Sequence, residues 1–267
     1  MNRFFIYMGA KTKELPLIQA LVPTFTGRVF EPFAGSGTVA LDLERPSVLN
    51  DFNRDVVNLY EVVADATLYP QLQGRLNYWK GLTDHDTLEK EYYRMRSYLN
   101  NKSNTDPLGR AEAYLVTRQL CHRGMQRENS KGGFNVPFGH DRKFTTALND
   151  LHHQFLSQTQ LMSGDFAPCI AQATADDWIF VDSPYLERQD YTGPGFSVDD
   201  HVRLAQSLAA TPAKWLLIHP DCPLYRQLYA PYIIEEEDFR YNIHFGKVGA
   251  NRTKADVKHL YIRNYTP

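Results

Sequence analysis

Trp178-Ile179-Phe180-Val181 runs directly into Asp182-Ser183-Pro184-Tyr185, and the whole chain can be read outward from this octapeptide. Four large apolar residues without a polar break describe a strand buried on both faces, as in a parallel sheet. The chain then places a carboxylate, a turn and an aromatic ring at that strand's carboxyl end. In open α/β sheets that edge is where ligands sit. Pro184 biases residue 183 toward extended geometry, so the turn is stiff.

Upstream, 14–22 reads as a short helix and Arg28-Val29-Phe30 as a strand opening the sheet. It leads into the glycine-rich turn Glu31-Pro32-Phe33-Ala34-Gly35-Ser36-Gly37 and a helix beginning at Thr38. Glycines at such a turn let the backbone approach a ligand at the helix N-terminus. Ser47-Val48-Leu49-Asn50 is a second strand ending at Asp51, followed by a helix over 54–66. Strand, glycine turn, helix, strand and acid make a nucleotide-type half of a doubly wound sheet, the acid accepting ribose hydroxyls. Gly35-x-Gly37-x-x-Ala40 also satisfies the permissive dinucleotide fingerprint, so the turn alone leaves open NAD or another adenosyl ligand.

Downstream, Gln160–Ser163 resumes the sheet, and Asp165 with Phe166 is placed to bracket an adenine ring. Tyr191-Thr192-Gly193-Pro194-Gly195-Phe196 reads as a loop over the site. A helix over 199–210, a buried strand over 215–218, a short helix over 223–229 and an antiparallel pair at 232–236 and 257–262 close the chain.

At 267 residues, with 43% hydrophobic and 22% charged residues, the composition suits one large globular domain or a core domain with an insertion. No run approaches 18 uncharged apolar residues, which argues against a transmembrane helix. Cys121, Cys169 and Cys222 form no CxxC pair; reduced thiols in a cytoplasmic protein are expected, without zinc or disulfides. The net charge is −2, yet residues 118–143 hold six Lys/Arg against two acids, and 240–263 hold six against one. Two such stretches could form a phosphate-facing side.

Residues 69–156 break the sheet pattern. Tyr92, Tyr93, Met95, Arg96, Tyr98 and Leu99 fit a helix with a local aromatic core, and 109–121 another helix. From His122 to Gly139 apolar anchors are few, and Lys131-Gly132-Gly133-Phe134 is a turn signal. A β-hairpin carrying Arg123, Met125, Arg127, Asn129 and Lys131 could enter a DNA groove. The expected organisation is a catalytic domain, 1–68 and 157–267, with an inserted recognition domain over 69–156. His152-His153 reads as a surface doublet on a helix. His219 follows a buried strand and is open to a lining or a structural role.

With these residues assembled, the chain resembles the Dam-type N6-adenine-specific DNA methyltransferases along nearly its whole length and in motif order. Tyr7-Met8-Gly9-Ala10-Lys11 resembles the family's N-terminal cofactor segment. Phe30 to Gly37 is similar to its S-adenosylmethionine motif, and Asn50-Asp51 to its ribose-binding acid. Asp182-Ser183-Pro184-Tyr185 stands where the family has Asp-Pro-Pro-Tyr. Gly132-Gly133-Phe134-Asn135-Val136-Pro137-Phe138-Gly139 resembles the stretch that closes the family's DNA-reading hairpin.

The resemblance implies a methyltransferase-type α/β sheet with an inserted, mainly helical DNA-recognition domain. It implies S-adenosylmethionine as methyl donor, double-stranded DNA as partner, and no metal. Tyr7, Lys11, Asp51 and Asp182 would contact the cofactor, with Glu31, Pro32, Phe33, Ala34, Gly35, Ser36 and Gly37 of the glycine turn and Asp165 and Phe166. Asp182, Ser183, Pro184 and Tyr185 would act on a flipped adenine. His122, Arg123, Met125, Arg127, Asn129, Lys131 and Asn135, with Arg252 and Lys254 near the chain end, would meet DNA.

Arg127 aligns with an arginine that reads guanine in relatives recognising GATC, whereas Arg123 stands where those relatives have Asn and His122 where they have an aromatic. GATC is therefore the leading expected site. Ser183 also departs from the family and removes a pyrrolidine lock. That leaves a competing expectation, a DNA-binding homologue that masks sites without turnover. Oligomeric state is open.

Overall fold

The computed structural model describes residues 1–186, 195–240 and 256–266. Seven strands form one sheet: β1 (Val29–Glu31), β2 (Ser47–Asp51), β3 (Gln160–Ser163), β4 (Trp178–Val181), β5 (Lys214–Pro220), β6 (Ile233–Arg240) and β7 (Asp256–Arg263). Their order is β3-β2-β1-β4-β5-β7-β6, with only β7 antiparallel to its neighbours. The expected doubly wound, methyltransferase-type sheet is present. Strand order reverses between β1 and β4, and a crevice opens outside the carboxyl ends of the strands at such a switch point.

The unbroken apolar strands are explained by burial on both faces. Phe30, Val48, Ile179, Val181 and Leu217 face one core with Phe166, Leu204 and Tyr225. Their alternating neighbours Val29, Leu49, Trp178, Phe180 and Leu216 face the other. The two-residue period of a strand divides each sequence between two dry layers. Glu31, Asp51 and Asp182 then emerge together at the one edge where polar groups are tolerated.

The helices are α1 (Leu15–Leu21), α2 (Thr38–Leu43), α3 (Arg54–Ala64), α4 (Leu68–Gly81), α5 (His85–Asn100), α6 (Pro107–Leu120), α7 (Asp150–Ser157), α8 (Phe166–Ile170), α9 (Val198–Ala210) and α10 (Pro223–Leu228). Aspartates start two of the long ones: the Asp84 side chain accepts from Thr87 N at α5, and Asp106 from Leu108 and Gly109 N at α6. Such caps satisfy N–H groups that a helix cannot pair internally. Residues 69–156 contribute no strand to the sheet. Their apolar groups, including Trp79, Tyr92, Leu115 and Phe138, continue the core that covers Val29 and Phe180.

Three sequence expectations are corrected here. The segment 122–139 is hairpin-like but forms no regular ladder. Two isolated antiparallel bridges, Cys121 with Phe138 and Glu128 with Phe134, hold its arms. Backbone bonds such as Asn135 N to Arg127 O and His122 N to Pro137 O cross between the arms. Side chains of α5 take the outer edge of the closing arm: Asn100 accepts from Phe134 N and donates to its carbonyl, while Tyr92 and Arg96 donate to Val136 O. Helix side chains thus satisfy groups a partner strand would have paired.

Arg118, counted in the basic stretch, is buried. It donates to the carbonyls of Ile6 (3.1 Å), Met125 (2.8 Å) and Gly124 (2.7 Å). That leaves no exposed charge there to meet phosphate. His152 is also buried, sharing a capping box with Asn149 and reaching the Asn2 carbonyl at 2.8 Å. Among the described residues no helix is long and apolar enough to cross a membrane.

Candidate active site

The crevice at the switch point is a cavity of about 1040 Å³. That is at the upper end for one small ligand, with room for two groups side by side. Lining it are Tyr7, Lys11, Glu31, Pro32, Phe33, Ala34, Gly35 and Ser36, then Asp51, Asp165, Phe166 and the whole Asp182–Tyr185 turn. Gly37 lies behind the wall as the cap of α2. The motif residues, separated by up to 178 positions in sequence, therefore surround a single space.

The glycine turn is built by close approach. Gly35 has φ +50°, and a Cβ there would lie 2.6 Å from the Tyr7 ring. Gly37 has φ +59°. Side chains are disfavoured in that left-handed region, and glycine is not. Asp51 holds the turn from below, its Oδ2 accepting from Gly35 N at 2.7 Å and its Oδ1 from Asn53 N at 2.8 Å. Tyr60 donates to the Gly35 carbonyl at 2.7 Å. Asn50 ties the neighbouring loops together by donating to Pro32 O (2.9 Å) and Gly164 O (3.0 Å).

Three carboxyl groups share this low-polarity space. Burial pushes the Glu31 carboxyl up to about 8, opposed by the Ala40 N–H, which donates to Glu31 Oε1 at 2.6 Å. Burial likewise raises Asp51 to about 6, against bonds from Asn53 and Gly35 N–H. Asp182 is raised by its dry surroundings, with the Lys11 ammonium pulling the other way. Lys11 Nζ lies 2.5 Å from Asp182 Oδ2, 3.1 Å from the Tyr185 hydroxyl and 3.2 Å from Gly9 O. It clasps both ends of the turn, and Asp182 Oδ1 forms no hydrogen bond with any described residue.

Asp165 and Phe166 occupy the far wall. Asp165 caps α8 through Ala167 N and pairs with Arg203 at 2.8 Å. Phe166 joins Phe33 (5.3 Å) and Phe196 (5.7 Å) in an aromatic group. Of the expected covering loop, Gly195 and Phe196 are seen, while Tyr191–Pro194 lie outside the described residues.

At the mouth of the cavity stand Lys131 and Gly132 of the hairpin turn, with Lys102, Arg110 and Glu128. His122, Arg123, Arg127 and Asn129 are exposed, and Met125 and Asn135 half-buried. Arg127 folds onto its own hairpin, donating to Asn135 Oδ1 at 2.7 Å and Asn135 O at 3.2 Å. Asn129 organises the tip, its Oδ1 accepting from Lys131 N and Gly133 N. Arg252 and Lys254 lie outside the described residues.

Several neighbours of the site carried no motif. Beneath the turn, Ser183 Oγ is 3.1 Å from the Tyr225 hydroxyl, which is 2.7 Å from His201 Nδ1. Behind Lys11, buried Glu14 accepts from His259 Nδ1 (2.8 Å) and Tyr261 Oη (2.6 Å). The period-two pair His259 and Tyr261 on a terminal strand was a usable signal for the latter group. Tyr225 stands alone on a one-and-a-half-turn helix and had none.

A doubly wound sheet with its acids, glycine turn and aromatic turn around one crevice defines an α/β enzyme acting on a nucleotide-like ligand. Residues 7–243 match the model of the D12 class N6 adenine-specific DNA methyltransferases, and the chain belongs to that family. It is 30% identical to the type II methyltransferase M.CviBI of Paramecium bursaria Chlorella virus NC1A, over 97% of this chain and 98% of that protein. It is 28% identical to a type II methyltransferase of Lactococcus lactis subsp. cremoris, over 99% and 96%. It is also 28% identical to a DNA adenine methylase of Vibrio cholerae serotype O1, over 95% and 93%. The chain is thus a site-specific adenine DNA methyltransferase, and the nicotinamide alternative left open by the glycine turn falls away.

Proposed function

We propose that this enzyme transfers the methyl group of S-adenosylmethionine to N6 of an adenine swung out of duplex DNA. The observation that supports it most is the convergence of Asp182, Ser183 and Tyr185 with the glycine turn and Asp51 on one cavity. The residues present fit an adenosyl donor. Gly35 lines the cavity with bare backbone packed against the Tyr7 ring, and each Asp51 oxygen keeps a lone pair for a ribose hydroxyl. When bound, the donor supplies an electrophilic methyl group on a cationic sulfur.

The chain's own part is orientation. An exocyclic adenine amine is a poor nucleophile because its lone pair delocalises into the ring. In this reading Asp182 Oδ1 and the Ser183 carbonyl accept one amine N–H each, drawing the nitrogen toward tetrahedral geometry and freeing the lone pair. Tyr185, fixed by Lys11, supplies a ring on which the extruded base stacks. The glycine turn and aromatic wall hold the donor on the opposite side. Attack leaves N6 positively charged, and the nitrogen then gives up one amine proton to bulk water by way of Asp182. The low-polarity cavity favours a transition state in which existing charge is spread rather than created.

Asp51 gives this reading a pH signature. Ribose hydroxyls donate more strongly to its carboxylate than to its acid form, which loses the charge and one acceptor site. With Asp51 raised to about 6 in the free protein, the wild-type affinity advantage over Asp51→Asn is full at pH 7.5 and shrinks as pH falls through 6. Calorimetric titration of both proteins with sinefungin or S-adenosylmethionine between pH 5 and 8 checks this. An advantage that does not change with pH contradicts the ribose role.

In the same reading, residues 69–156 and their hairpin recognise the DNA, with GATC as the proposed site. The guanidinium of Arg127 exchanges Asn135 for the O6 and N7 acceptors of a guanine. Arg127→Ala should cost about 1–3 kcal/mol of discrimination at one base, roughly tenfold to a hundredfold, while transfer to other sites persists. Methylation sequencing of DNA treated with each protein tests both claims. Methylation confined to a motif without guanine removes this role for Arg127.

A further inference from the structure

Ser183 replaces a proline that the resemblance leads one to expect, and the structure contains what replaces the proline's rigidity. We propose that Tyr225, backed by His201 and His219, is a positioning residue that fixes Ser183 through its hydroxyl and so holds the amine-accepting carbonyl in place. The proposal rests on the reading of Asp182–Tyr185 as the turn that grips the target amine.

Each member of the group is buried: Ser183 is 2% exposed, Tyr225 and His201 0%, and His219 2%. Ser183 Oγ lies 3.1 Å from Tyr225 Oη, and that hydroxyl lies 2.7 Å from His201 Nδ1. Both hydroxyls donate as well as accept, so the three groups make one continuous chain. The Tyr225 ring is itself clamped. The His219 imidazole stacks on it at 3.5 Å and 10°, and the His201 ring meets it edge-on at 5.3 Å and 75°. His219 also presents an edge to Tyr185 at 5.3 Å.

These contacts reach both Ser183 and Tyr185 of the turn. A proline at 183 would restrict φ directly. A serine in a tight turn lacks that restriction, but a side chain pinned at its Oγ restrains χ1, and with it the peptide that carries the carbonyl. Through the shared His219 ring the same clamp sets the base-stacking Tyr185. His201 comes from α9, His219 from β5 and Tyr225 from α10. The turn is therefore anchored to three elements beyond its own strand, none of which contains a sequence motif.

The test is a comparison of Tyr225→Phe in two backgrounds, the wild-type chain and Ser183→Pro. Single-turnover methyl transfer from labelled S-adenosylmethionine to a long unmethylated duplex is the readout, with donor and DNA affinities measured separately. Tyr225→Phe keeps the stacked ring and removes the hydroxyl. It should slow transfer about tenfold in the wild-type chain, the size expected for one hydrogen bond, with both affinities within about twofold. In the Ser183→Pro chain the same change should slow transfer less than about twofold, because the ring lock no longer needs the hydroxyl.

Should Tyr225→Phe fail to fold, Ser183→Ala removes the other end of the bond with little change in volume and should show the same loss in rate without loss of affinity. Equal slowing by Tyr225→Phe in both backgrounds, or an effect on affinity alone, overturns the positioning role. So does an unchanged rate in Ser183→Ala. Asp182→Ala run alongside separates the two questions. Turnover retained by that protein refutes the underlying assignment of the turn, whatever Tyr225 does.

Discussion

Asp182→Ala should lose methyl transfer by about 10^3-fold or more while remaining folded. Its carboxylate is asked both to accept an amine proton's hydrogen bond and to orient the nitrogen. Removing a preorganised group of this kind raises the barrier by several kcal/mol. The fold should survive because the side chain lines the cavity, where water can take its place. Lys11 would keep the Gly9 carbonyl and the Tyr185 hydroxyl at 3.2 and 3.1 Å. Circular dichroism and donor affinity establish that the protein is intact, and a labelled-methyl assay reads the chemistry. Retained turnover in a folded Asp182→Ala protein would end the mechanism proposed for the turn.

The second large effect is expected at Gly35, and it falls on binding. An alanine there must adopt φ near +50° and bring its Cβ within 2.6 Å of the Tyr7 ring. The left-handed backbone costs about 1–2 kcal/mol, and crowding a packed contact adds about 1–3 kcal/mol. Gly35→Ala should therefore lower unfolding stability by about 2–5 kcal/mol. Relief of the overlap pushes Tyr7 or the turn out of position, so donor affinity should fall at least tenfold. Chemical denaturation and calorimetry measure the two quantities. A variant with wild-type donor affinity would show that the cradle does not form the binding surface.

The sheet was legible in the sequence because its signals are local. An unbroken apolar run such as Trp178–Val181 has few alternatives to a strand covered on both faces. Its neighbours repeat the pattern, and edge differences of one or two residues reflect where the pairing frays. The cavity was legible for a related reason: Glu31, Asp51 and Asp182 each terminate a parallel strand, and the topology brings strand ends together. The hairpin was harder. Its turn chemistry is plain in Lys131-Gly132-Gly133, but its closing arm pairs with side chains of α5, which no local pattern announces.

Charge was the least reliable guide. Arg118 and His152 read as surface residues from composition, yet both are buried, each with a bond to a carbonyl of the N-terminal segment, Ile6 O and Asn2 O. The support of Ser183 was invisible for the same reason. Tyr225 and His201 reach it over sequence separations of 42 and 18 positions, through residue types that occur in any core.

Arg118 has a consequence for how recognition can diversify. It grips main-chain carbonyls, so its bonds are indifferent to the side chain at position 125. Gly124 and Gly132 are held to their identity by left-handed backbone, at φ +65° and +72°, and at Gly124 a Cβ would also sit 2.5 Å from Ile6. The hairpin is thus a replaceable head on a fixed socket. In the proposed reading, where the tip meets DNA and the crevice holds the donor, the side chains of the tip can vary without disturbing the N-terminal segment that lines the crevice.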